Sequence, residues 1–207
     1  GLAGDALTTG ADNTALGYGS LSAEDTGNNS TAIGSQALQS QNFDGNANNT
    51  AVGYRAGNAL VTGEENVFIG AMAGEGNLTG VQNTAVGTEA LESDTDGCRN
   101  TAIGYRSLFT QDFTTGTNSS NTAVGWQSGT SITTGVSNTL IGSEAGDALT
   151  DADYNIAIGH EALSADTKGS NSVAVGMGAL FNQNFTTATS VYNTAVGHAA
   201  GNQITTG

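Results

Sequence analysis

Few residues in this chain are equipped for chemistry, and a repeat sets the spacing of those that are. His160 and His198 are the only histidines, and each directly follows a glycine that closes the same short phrase. Imidazole ligates metals, but Met177 holds the same place in the phrase between them, which describes a variable surface column, and no metal site is expected. Asp94-Thr95-Asp96-Gly97 and Asp151-Ala152-Asp153 echo pieces of calcium loops without the full ligand spacing. They leave Ca²⁺ open, and no other cofactor is expected. Tyr18, Tyr54, Tyr105 and Trp126 share the column of His160, with Arg55 and Arg106 beside two of them. Aromatic faces with guanidinium groups can hold sugars, or can equally pack as outer surface. Phe43, Phe113 and Phe185 recur in the longer connections, as projecting contact residues or as covers for an apolar patch. No nucleophile, base and orienting acid, and no catalytic carboxylate pair, is singled out against the repeat background. The chain is not read as an enzyme.

The elements that place these residues come from the repeat itself. Asn/Ser-Thr-Ala-Val/Ile-Gly returns eleven times, closing on Gly17, Gly34, Gly53, Gly70, Gly87, Gly104, Gly125, Gly142, Gly159, Gly176 and Gly197, most often 17 residues apart. A fixed period this short means stacked units that cannot bury an apolar face alone. Alternation within the phrase predicts a short strand. Its β-branched and aliphatic positions share one face, taken as inward, with Ile33, Val52, Ile69, Val86, Ile103, Val124, Ile141, Ile158, Val175 and Val196 as the core ladder. The Asn that opens the phrase predicts a hydrogen-bonded ladder along the stack, and the closing Gly a positive φ or a close backbone approach.

Four residues after the closing Gly stands Leu or Gly, in the order Gly4, Leu21, Leu38, Gly57, Gly74, Leu91, Leu108, Gly129, Gly146, Leu163, Leu180, Gly201. Two Gly rungs alternate with two Leu rungs, so four rungs make a superunit, and 53–124 aligns with 125–196 without a gap. The longer steps follow the second Leu rung and carry the three Phe residues. The reading is one all-β domain over 1–207, a parallel β-solenoid of about twelve rungs, with partial units at both ends.

With 31 Gly, no Pro and 6% aromatic residues, the core must be thin, which favours oligomerisation. A net charge of −15, from 19 acids against Arg55, Arg99, Arg106 and Lys168, disfavours nucleic acid and anionic lipid as partners. Cys98 is the only cysteine, so no disulfide framework is available. No run is long enough to span a bilayer.

Asn29-Ser30-Thr31-Ala32-Ile33-Gly34 and Asn171-Ser172-Val173-Ala174-Val175-Gly176 resemble the head repeat of YadA-type trimeric autotransporter adhesins. The commoner Asn-Thr-Ala-Val/Ile-Gly, with Tyr-x-Ala/Ser-Leu and Thr-Thr-Gly after it, is similar to repeats of phage tail fibres. The resemblance covers nearly the whole chain. It implies a left-handed parallel β-roll, three chains around one axis and a surface used for attachment. Units of 17 to 21 residues are longer than the adhesin repeat, which implies a different rung cross-section. The expected function is a structural and adhesive fibre segment outside the cell, on a virion or a bacterial surface, with itself and a glycan or protein receptor as partners. The alternatives are an ice-binding solenoid, with Thr on the inward face counting against it, and a filament with no ligand.

Overall fold

A computed structural model describes residues 2–206, and among them there is no helix. The strands are β1 (Thr14–Leu16), β2 (Thr31–Ile33), β3 (Thr50–Val52), β4 (Val67–Ile69), β5 (Thr84–Val86), β6 (Gly97–Cys98), β7 (Thr101–Ile103), β8 (Thr117–Asn118), β9 (Thr122–Val124), β10 (Thr139–Ile141), β11 (Ile156–Ile158), β12 (Gly169–Ser170), β13 (Val173–Val175), β14 (Thr189–Ser190) and β15 (Thr194–Val196). The three-residue strands form one parallel sheet of eleven, in chain order. Its register is unbroken, each phrase position on the same position of the next rung, as in Thr101↔Thr122, Ala102↔Ala123 and Ile103↔Val124; Val67, Ile156 and Val173 stand in the Thr column, and Phe68 and Leu140 in the Ala column. The two-residue strands pair separately, β6 with β8 and β12 with β14, where the long connections enter. This is a β-solenoid of about eleven turns, where the phrase count plus a partial first unit gave twelve. At about 4.8 Å per rung the sheet is roughly 50 Å long.

The direction of the strand faces corrects the sequence reading. The middle residue of each strand points inward: Ala32, Ala51, Phe68, Ala85, Ala102, Ala123, Leu140, Ala157 and Ala174 are fully buried. The expected core ladder of Ile33, Val52, Ile69, Val86, Ile103, Val124, Ile141, Ile158, Val175 and Val196 stands on the outer face, half-buried or exposed, together with the Thr column. The reason is room. A three-residue strand sends one side chain inside, and the same core already takes in Ala37, Ala56, Ala73 and Ala90 with the leucines that follow some of them. In so thin a section the small residue is the interior one.

The Leu/Gly alternation controls how the remaining volume is filled. Leu21, Leu38, Leu91, Leu108, Leu163 and Leu180 are fully buried and hold φ between 46° and 56°. The Gly rungs keep the same left-handed conformation, for example Gly57 at 57°. They leave space for larger strand residues. A Cβ on Gly57 would lie 2.7 Å from Phe68, and one on Gly129 or Gly146 would lie 2.7 or 2.8 Å from Leu140. Three residues after those glycines, Leu60, Ile132 and Leu149 complete the packing. The superunit is therefore a volume code: Leu at the corner with Ala in the strand, or Gly at the corner beside Phe68 or Leu140.

The closing glycines also behave as expected. Gly159 has φ of 134°, and a Cβ there would lie 2.6 Å from the Gly176 carbonyl of the next rung. The Asn ladder forms, with side chain to backbone as its main link. Asn66 N–H donates to Asn49 Oδ1 at 2.9 Å, and the same bond joins Asn83 to Asn66, Asn100 to Asn83, Asn121 to Asn100, Asn138 to Asn121 and Asn155 to Asn138. The amide Nδ2 donates to the turn carbonyl ahead of the next Asn, as Asn83 does to Gly97 at 2.8 Å. One buried side chain thus meets two backbone groups that the turn would otherwise leave unpaired.

The volume code makes a testable pair. Phe68→Ala should cost about 3–5 kcal/mol by opening a cavity, and Gly57→Leu about 1–3 kcal/mol or more by overpacking. Combined, they should fall short of the sum by at least about 1 kcal/mol, because the new Leu occupies the vacated space. Chemical denaturation of the four proteins measures the coupling.

Candidate functional site

Backbone bonds build the outer corner after the closing Gly one rung at a time: Arg106 N–H donates to Thr88 O, Gln127 to Tyr105 O, and Glu144 to Trp126 O. Side chains at the two positions after the glycine therefore stack in columns. Tyr18, Tyr54, Tyr105 and Trp126 are exposed there, Tyr54 by 51% and Trp126 by 47%. Tyr105 and Trp126 follow β7 and β9, which pair directly. Arg106 lies 5.3 Å from the Tyr105 ring centroid and 4.7 Å from that of Phe109, and it is ion-paired with Glu89. Arg55 pairs with Glu75 at 2.8 Å. Both guanidinium groups have their charge matched, and that of Arg106 is also held over aromatic rings. The sequence-predicted Tyr54, Arg55, Tyr105, Arg106 and Trp126 therefore do lie along one outer edge.

The three Phe residues do not project. Phe113 is only 8% exposed, and Phe43 and Phe185 are half-buried. Their loops are tied inward by a set of residues to which the sequence analysis assigned no such role. Glu24, Asp94 and Asp166 are each fully buried. Asp94 Oδ1 accepts from Gly97 N–H at 3.1 Å and from Phe113 N–H at 3.0 Å, while Oδ2 accepts from Gln111 Nε2 at 2.7 Å. Asp166 does the same with Gly169, Phe185 and Gln183, and Glu24 with Gly27, Phe43 and Gln41. The glutamines pass the connection on: Gln41, Gln111 and Gln183 accept from Asn49, Asn121 and Asn193. A signal existed in the sequence. Each acid stands three residues after the first Leu of a Leu pair, and each Gln three after the second, where Gly rungs carry Leu60, Ile132 and Leu149. The insertion is thus locked to the solenoid by a carboxylate, which removes Phe43, Phe113 and Phe185 as projecting contacts.

Asp94 also belongs to a calcium-like fragment, but both its oxygens face N–H donors inside the rung. Asp96 accepts from Thr79 Oγ1 at 2.6 Å, Asp153 from Val136 N–H at 2.8 Å, and Asp151 lies 3.4 Å from Lys168 Nζ. His160, Met177 and His198 stack in one column and line a shallow cavity of about 310 Å³ with Phe181 and Asn202. Next to it, His160 lies between two carboxylates, Nε2 at 3.8 Å from Glu144 and Nδ1 at 3.5 Å from Glu161. Among the described residues no helix is long and apolar enough to cross a membrane. Comparison with protein-family models, curated proteins and solved structures finds no match to this chain.

Burial raises the Asp94 carboxyl from 3.8 to about 6, with a further push from Asp112, against the pull of the N–H donors from Phe113, Gln111 and Gly97. Because its pKa is higher folded than unfolded, the folded state binds more protons between about pH 4 and 6. Stability from this group is full below that window and falls by roughly 3 kcal/mol as pH rises through it. Asp94→Asn should remove this part of the slope. Urea unfolding of both proteins from pH 4 to 7 should give a difference that changes through the window; a constant difference would show that Asp94 does not titrate there.

Proposed function

We propose that the chain is a structural and adhesive fibre segment, of the kind found in phage tail fibres and bacterial surface adhesins, working as a left-handed roll in a parallel homotrimer. One observation carries this reading: an outer face with one column of aliphatic residues and one of β-branched residues, mostly Thr, runs the full sheet, with Leu16, Ile69, Ile103, Ile141, Ile158 and Val196 all exposed in the single chain. Taking the two columns as about 10 Å wide and the sheet as about 50 Å long gives near 500 Å², toward the upper end of the roughly 300–600 Å² that the largest patch of a lone soluble chain covers, with threonine contributing most of one column. It carries no charge, and every rung repeats it in register. A second and a third copy would cover it by symmetric association, and the resemblance to trimeric fibre repeats points the same way. The exposed aromatic corner beside this face would then appear three times per level, suited to many weak contacts with a surface glycan or protein.

A second reading gains from the corrected face. The Thr column points outward on a sheet of regular parallel register, which removes the objection to an ice-binding solenoid. The fibre reading is preferred because the aliphatic column is complete and Val67, Ile156 and Val173 interrupt the threonines, leaving a surface more apolar than hydroxylated.

Light scattering should give three times the chain mass of 20.6 kDa. Ile103→Glu with Val124→Glu should yield monomers that keep the β circular-dichroism spectrum. A monomeric wild type that shows thermal hysteresis would replace the fibre reading with the ice-binding one. Replacing Tyr54, Tyr105 and Trp126 by Ser should abolish glycan-array or cell binding by a trimer of unchanged mass.

A further inference from the structure

We propose that Glu144, His160 and Glu161 form a binding site for a divalent transition metal ion on the outer corner of the solenoid. One imidazole nitrogen of His160 and one oxygen from each glutamate lie within 4.8 Å of one another. Donors around Zn²⁺ stand about 3.3 Å apart at bond lengths near 2.0–2.1 Å. Small rotations of three partly exposed side chains close that gap.

The charge pattern of the column fits a cation at the same place. The second position after the closing Gly reads Gln36, Arg55, Met72, Glu89, Arg106, Gln127, Glu144, Glu161, Gly178 and Ala199, joined rung to rung by backbone bonds. Glu89 and Arg106 are neighbours of opposite charge and are paired. Glu144 and Glu161 are neighbours of like charge, a destabilising arrangement at one rung's separation, and His160 stands beside that step. The basic residues are engaged elsewhere: Arg55 on Glu75, Arg106 on Glu89, Lys168 on Asp151 and Arg99 on Gln82. Asp147, held by Ser164 at 2.6 Å, adds a further negative charge that couples to Glu161. A mixed imidazole and carboxylate set selects zinc-like ions over calcium, which prefers all-oxygen ligands. The remaining coordination positions face solvent.

Titration of the chain with ZnCl₂ by calorimetry, and with Co²⁺ by visible absorption, tests the site. One ion per chain should bind. His160→Asn, Glu144→Gln and Glu161→Gln should each weaken binding by about tenfold or more, with the melting temperature of the metal-free His160→Asn protein unchanged. His198→Asn, two rungs away, should bind as the wild type does. Without metal, Glu161→Gln should melt no lower than the wild type, since it relieves the like-charge contact. Absence of saturable binding up to about 1 mM Zn²⁺, or binding unaltered by His160→Asn, would overturn the proposal.

Discussion

Three residues of strand per rung leave room for one inward side chain, and most of the molecule follows from that constraint. A solenoid rung this thin cannot hold two columns of Val and Ile between its walls, so Ala takes the inner position and the branched residues are turned out. Close-packed interiors tolerate neither voids nor surplus. Wherever the strand residue grows, to Phe68 or Leu140, the corner must shrink to Gly in the rungs around it.

Polar groups inside the rung are subject to the same economy of space. The Asn ladder spends one side chain per rung to satisfy two backbone groups, and its rungs coincide with the sheet register. At the longer connections the ladder alone is not enough, because the extra residues bring unpaired N–H groups against the core. A carboxylate and a glutamine, one rung apart, absorb them at each of the three insertions. Burial makes the carboxylate costly, and its place is held by the donors that converge on it. The loops are consequently part of the packed structure.

Periodicity made the parallel stack, its register, the superunit boundaries and the Asn ladder legible in the sequence. What it could not give was the sign of the strand face. Alternation in Thr101-Ala102-Ile103 divides the residues into two sets without saying which is inside, and bulk is a poor guide when the section is narrow. The clue lay elsewhere in the rung: Ala90 and Leu91 are buried in the same core as Ala102. Of the candidate binding residues, Tyr54, Tyr105 and Trp126 are exposed where their column predicts. The Phe residues are not, because the acid that draws their loop inward precedes it by nineteen residues in the chain and touches it only once the rungs stack.

The outward set of aliphatic side chains is the feature that links this architecture to function. A solenoid can satisfy its interior with alanine and leucine alone, and nothing in the fold of a single rung requires Val or Ile outside. Solubility would be served better by Thr, Ser or charged residues at those positions, as the acid-rich remainder of the surface shows. Every complete rung nevertheless places a branched aliphatic residue there, in register with its neighbours and free of charge. A surface so uniform along the sheet fits an equally uniform counterpart, and a further copy of this chain has that periodicity by construction. The regular spacing of the face is thus consistent with the proposed self-association, and it is the resemblance to trimeric fibre repeats that suggests the parallel direction.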